Sequence, residues 1–134
     1  MSRALQLARR GINSSQPNPR VGCVIVRDNI IIAEGWHQFA GGPHAEINAL
    51  AELSGKAEGA RCYVTLEPCN HQGRTGPCTK ALIDSGLTSV FAAMLDPNPQ
   101  VAGQGLEKLK QAGIESCSGL MELEAGRLNQ GFIM

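Results

Sequence analysis

Apolar positions in the first ten residues recur at Ala4, Leu5, Leu7 and Ala8, the spacing of one face of a helix, which predicts a short amphipathic helix over Ser2–Arg10 with Ser2 as its N-cap and Gly11 as its stop. Residues 12–19 carry two prolines, two asparagines and two serines, so irregular backbone is expected there, with Asn18 held extended between Pro17 and Pro19. Val21–Arg27 and Ile30–Glu34 are β-branched runs separated by Asp28-Asn29, a strand, a tight turn and a strand. Pro43 opens a helix to about Leu53, with Ala45, Ala49, Leu50 and Leu53 as its buried stripe, and Pro77 opens another over Thr79–Ser85, closed by Gly86. Further strands are predicted at Arg61–Leu66, Ser89–Met94 and Ile114–Ser118. Further helices are predicted at Leu106–Ala112 and Glu122–Gln130.

Strands alternating with helices after an initial hairpin predict an α/β fold. The expected architecture is a three-layer α/β/α sandwich around a mixed five-stranded sheet, formed by one domain over residues 1–134. Functional loops in such sheets lie beyond the carboxyl ends of the strands. The stretches starting at Glu67 and at Asp96 both follow strands.

Charge changes the picture by exclusion. Twelve basic against twelve acidic residues supply no net field for a polyanion, and five aromatics offer few stacking platforms, so a small substrate is expected rather than nucleic acid. No apolar run approaches a membrane span or a signal sequence, which predicts a cytoplasmic protein. Five cysteines, an odd number without disulfide-scaffold spacing, point to reduced thiols or metal ligands. Cys23, Cys62 and Cys117 lie in strand-like runs and are expected to be small buried hydrophobes.

The remaining two cysteines carry the chemistry. Pro43-His44-Ala45-Glu46 and the run from Glu67-Pro68-Cys69 to Gly76-Pro77-Cys78 supply one imidazole and two thiols. Together they are three borderline-to-soft ligands that suit zinc and leave its fourth tetrahedral position for water. His44 and Glu46 stand about 200° apart on a helical wheel, so they can meet only at the helix end. There Glu46 would move protons. A closed structural site with His71 as fourth ligand is the alternative, and the eight residues between Cys69 and Cys78 argue against it.

Taken together, Pro17-Asn18-Pro19-Arg20-Val21-Gly22, His44-Ala45-Glu46, Thr65-Leu66-Glu67-Pro68-Cys69, Gly73-Arg74-Thr75-Gly76-Pro77-Cys78, Asp96-Pro97-Asn98-Pro99 and Leu128-Asn129-Gln130-Gly131-Phe132 resemble a known family. It is the deaminase domain of the RibD family of riboflavin biosynthesis, the diaminohydroxyphosphoribosylaminopyrimidine deaminases, within the cytidine-deaminase-like superfamily. The resemblance runs from Ala4 to Phe132 and accounts for the long cysteine spacing, since zinc nucleobase deaminases otherwise place only two residues between these cysteines. It implies one zinc on His44, Cys69 and Cys78, with Glu46 as proton shuttle. It also implies a phosphorylated pyrimidine contacted by Asn18, His37, His71, Arg74 and Asn98, and a homo-oligomer. Many family members continue into a reductase domain, so no NADP is expected on this chain. The competing expectations are a nucleoside or tRNA adenosine deaminase and a catalytically silent domain kept for assembly.

Overall fold

The computed structural model of the chain describes residues 1–10, 20–38, 43–69, 78–96, 102–122 and 125–126. In order, the elements are α1 (Ser2–Arg9), β1 (Gly22–Arg27), β2 (Ile30–Trp36), α2 (Ala45–Ala51), β3 (Arg61–Val64), α3 (Cys78–Asp84), β4 (Ser89–Ala92), α4 (Gln104–Gln111) and β5 (Glu115–Ser118). The strands form one sheet in the order β2-β1-β3-β4-β5. β1 is antiparallel to both β2 and β3, while β3, β4 and β5 run parallel, so the sheet is mixed and β1 alone of the five opposes the rest.

The hairpin turn is built as the sequence demands. Asp28 and Asn29 both take positive φ, 53° and 63°, the mirror-image turn whose twist matches a two-residue hairpin. Side chains then divide by strand alternation. Val24 packs with Ala4 and Leu7 of α1 on one face of the sheet. Cys23 and Ile25 meet Ala45, Ala49 and Leu50 of α2, and Leu82, Leu106 and Leu109 of the next two helices, on the other. Three layers result. Among the described residues no helix is long and apolar enough to cross a membrane.

Two glycines let helices sit directly on the strands. A Cβ at Gly22 would run into the Ala4 carbonyl of α1, and one at Gly35 into the Ala45 carbonyl and Ala49 amide nitrogen of α2. Both collisions are with backbone, which no rotamer change relieves. Gly35→Ala is therefore expected to cost about 1–3 kcal/mol of stability. A lower urea midpoint at unchanged slope would register it, and an unchanged midpoint would contradict the close contact.

Several details depart from the sequence pattern. Met1, not Ser2, is the N-cap of α1. Helix α2 begins at Ala45, two residues after Pro43, with His44 as an extended N-cap (φ −71°, ψ 165°). It ends at Ala51, which leaves Leu53 outside the helix and half-buried. Cys23 and Cys62 are core thiols as expected, 3.4 Å apart sulfur to sulfur. Cys117 is exposed instead of buried. It lies on edge strand β5 in the side-chain row of Val24, Tyr63 and Phe91, on the face where α1 packs against β1 and β2. The predicted last helix falls largely outside the described residues. So does the loop of residues 12–19.

Candidate metal centre

His44, Cys69 and Cys78 come from three different places in the chain. His44 caps α2, Cys69 follows the exit of β3, and Cys78 is the first residue of α3. Their ligand atoms all lie within 4.8 Å of one another. His44 Nδ1 stands 3.2 Å from Cys78 Sγ and 3.7 Å from Cys69 Sγ. Tetrahedral zinc with bonds near 2.3 Å to sulfur and 2.0–2.1 Å to nitrogen requires edges of about 3.6–3.8 Å. The donor set and its spacing therefore fit zinc with small adjustments.

Backbone contacts hold the trio. The Cys78 N–H donates to Cys69 Sγ at 3.3 Å, and the Thr79 N–H donates to the Cys69 carbonyl at 3.2 Å. The two thiols perturb each other in opposite directions. Hydrogen bonding from the Cys78 thiol, with further help from His44 and a backbone amide, lowers the Cys69 pKa to about 4. The same sulfur–sulfur contact, reinforced by burial, pushes the Cys78 thiol up, and the Cys69 contact raises His44. A divalent ion held here would favour both as thiolates, since its charge is one that both sulfurs can face.

Glu46, in the first turn of α2, is buried and in hydrogen-bond contact with the Cys78 side chain. It thus reaches the cluster without being one of its three ligand groups. Burial is the main cause that raises its pKa from 4.5 to about 7. In the metal-free protein this has a definite sign. Between pH ~4.5 and ~7 the folded chain keeps a proton on Glu46 that the unfolded chain has released, so this contribution makes stability fall as pH rises, by roughly 3 kcal/mol in all. The Cys69 thiolate has the opposite sign, because there the unfolded chain binds the extra proton. Comparison with Glu46→Gln isolates the carboxylate. Metal-free Glu46→Gln is expected to gain stability relative to metal-free wild type from pH 5 to pH 8 in urea titrations, and a gap independent of pH would contradict the burial of the charge.

His37 is brought to the same place. It is buried, its ring meets that of His44 edge-on with centroids 5.6 Å apart, and its Nδ1–H donates to the Pro43 carbonyl at 3.1 Å. Asn18, His71, Arg74 and Asn98 lie outside the described residues.

Two residues near the site escape a reading of the sequence for chemistry. Asn48 Nδ2 donates to the Trp36 carbonyl at 2.9 Å and reaches the Pro43 carbonyl at 3.4 Å, tying the end of β2 to the approach of α2. Its signal is a poor helix former inside a seven-residue helix. Glu67 is buried two residues before Cys69, and its signal is an acid between Leu66 and Pro68 in an otherwise apolar run.

Known proteins share this arrangement of sequence and fold. Residues 1–94 match the family model of the cytidine and deoxycytidylate deaminase zinc-binding region. The chain is 59% identical over 133 residues to riboflavin biosynthesis protein RibD of Escherichia coli (strain K12), covering 99% of this chain and 36% of that protein. It is 52% identical over 132 residues to the diaminohydroxyphosphoribosylamino-pyrimidine deaminase of Buchnera aphidicola subsp. Acyrthosiphon pisum, covering 98% of this chain and 90% of that one. Among solved structures, RibD of Acinetobacter baumannii superposes with a TM-score of 0.95 at 53% identity, over 98% of this chain and 37% of that one. The chain thus spans about a third of the RibD proteins it matches and most of the Buchnera deaminase.

Proposed function

Since the chain belongs to the cytidine and deoxycytidylate deaminase zinc-binding family, we propose that it hydrolyses an amino group from a phosphorylated pyrimidine. The substrate would be 2,5-diamino-6-hydroxy-4-(5-phosphoribosylamino)pyrimidine. The products would be 5-amino-6-(5-phosphoribosylamino)uracil and ammonia. The observation that carries this reading is a buried carboxylate, Glu46, in contact with a His44–Cys69–Cys78 trio whose spacing suits zinc. The name and 52% identity of the Buchnera relative support the choice of substrate.

His44 Nδ1, Cys69 Sγ and Cys78 Sγ would hold the ion. Bound there, zinc supplies a Lewis acid that makes water nucleophilic near neutral pH. The residues of the chain do the rest. Glu46 accepts a proton from the attacking water and passes it to the ring nitrogen next to the reacting carbon, then takes the proton of the new C–OH group as the carbonyl forms and delivers it to the departing amine. Its burial keeps that proton from bulk water. His37, fixed by its bond to the Pro43 carbonyl, presents its ring beside His44 as part of the pocket wall. Asn18, His71, Arg74 and Asn98 complete the substrate contacts in this proposal, with the Arg74 guanidinium suited to bidentate pairing with the phosphate.

Ammonia release by the zinc-loaded chain tests the reading. The phosphoribosyl diaminopyrimidine should be turned over well above cytidine, deoxycytidylate and adenosine. Preference for any of those three would overturn the assignment of substrate, and inactivity on all four would overturn the assignment of reaction.

A further inference from the structure

Glu67 is a buried acid paired entirely with backbone amides among its described partners. Its Oε1 accepts from the N–H groups of Asp96 at 3.0 Å and Gly103 at 2.9 Å. Its Oε2 accepts from Gly105 at 2.8 Å and Leu106 at 3.2 Å. A carboxylate out of water is costly unless it is hydrogen-bonded, and four charge-assisted bonds answer that cost.

The donors explain why an acid is needed. Gly103 is the N-cap of α4, has φ of +86°, and offers no side chain to cap the helix. The first turn of α4 therefore has amides without an acceptor of their own, and Glu67 supplies both oxygens from another part of the chain. The contact is tight in both directions. A Cβ at Gly105 would run into the Pro68 carbonyl and approach Glu67 Oε2 to 3.2 Å, so α4 sits directly on the Pro68-Cys69 peptide. On the other side the Glu67 N–H donates to the Met94 carbonyl at 2.9 Å, pinning the Leu66-Glu67 peptide to the exit of β4. Pro68 is fully buried and the next residue is Cys69.

We propose that Glu67 is a positioning residue for Cys69. By bonding the β4 exit and the first turn of α4 at once, it fixes the backbone from Glu67 to Cys69 and therefore the direction from which the Cys69 sulfur meets His44 and Cys78. The inference rests on the reading of those three residues as zinc ligands. It adds a residue that touches neither metal nor substrate.

Glu67→Gln tests it with little change of shape. The amide keeps one acceptor oxygen but turns an NH₂ toward two N–H donors, so two of the four bonds are replaced by repulsion. Two readouts on the 134-residue chain suffice, zinc affinity by chelator competition and amide hydrogen exchange by NMR. Zinc is expected to bind ~10–100-fold more weakly, the usual effect of losing a partner that orients a ligand. The amides of Asp96, Gly103, Gly105 and Leu106 are expected to exchange faster. A residue serving only stability would lower the melting temperature and leave zinc affinity of the folded chain unchanged, and that result overturns the proposal. Four amides as protected as in wild type would overturn it too. If the Gln variant does not fold, Glu67→Asp keeps the charge one methylene short and should move both readouts in the same direction. A wild-type chain that binds no zinc would instead remove the ligand reading itself, an outcome distinct from wild type and variant binding zinc equally.

Discussion

Glu46→Gln is expected to retain one zinc per chain and to lose at least ~10²-fold in kcat, within the range that general acid–base catalysis contributes. Glutamine has nearly the shape of glutamate, so the first turn of α2 and the His44 cap should be undisturbed. It cannot accept and return a proton. Glu46 is buried and contacts the Cys78 side chain, so no bulk water stands ready to replace it. Metal analysis alongside ammonia release separates the roles. Near-normal turnover would show that the carboxylate is not the proton carrier, and loss of zinc would show that it holds the metal.

Cys78→Ser is expected to have the larger effect on the metal. The substitution keeps the N–H that donates to Cys69 Sγ and keeps a small side chain at a buried helix start, so the fold should persist. Serine is a hard, weakly acidic donor and a poor replacement for thiolate on zinc. Zinc affinity should fall by more than the ~10–100-fold that follows loss of a mere orienting partner, and activity should fall with it. One tightly held zinc per chain in the variant would remove Cys78 from the ligand set.

Much of this architecture is written locally. Asp28-Asn29 announces its own turn, Gly86 and Gly113 take positive φ just after α3 and α4, and the alternation of strand and helix gives the layers. The His-x-Glu pair and the two proline-flanked cysteines mark the chemistry, because such residues at such spacing have few other uses. What was not legible depends on contacts distant along the chain. That β1 lies between β2 and β3 is decided by packing after the hairpin forms. Glu67 satisfies its charge on amides 29 to 39 residues away, and no pattern within the Leu66-Glu67-Pro68 run specifies them. Cys117 lies in a strand-like run, which suggests burial, yet its exposure is set by which sheet face a helix covers. The N-cap position of His44 likewise follows from the chain path into α2 rather than from Pro43 alone.

X-ray absorption at the zinc edge of the purified chain reads the metal environment directly. Two sulfurs near 2.3 Å, one imidazole nitrogen near 2.0–2.1 Å and one further light atom from solvent are predicted, the signature of an ion with one position left for the reaction. A second imidazole in the shell, or fewer than two sulfurs, would contradict it.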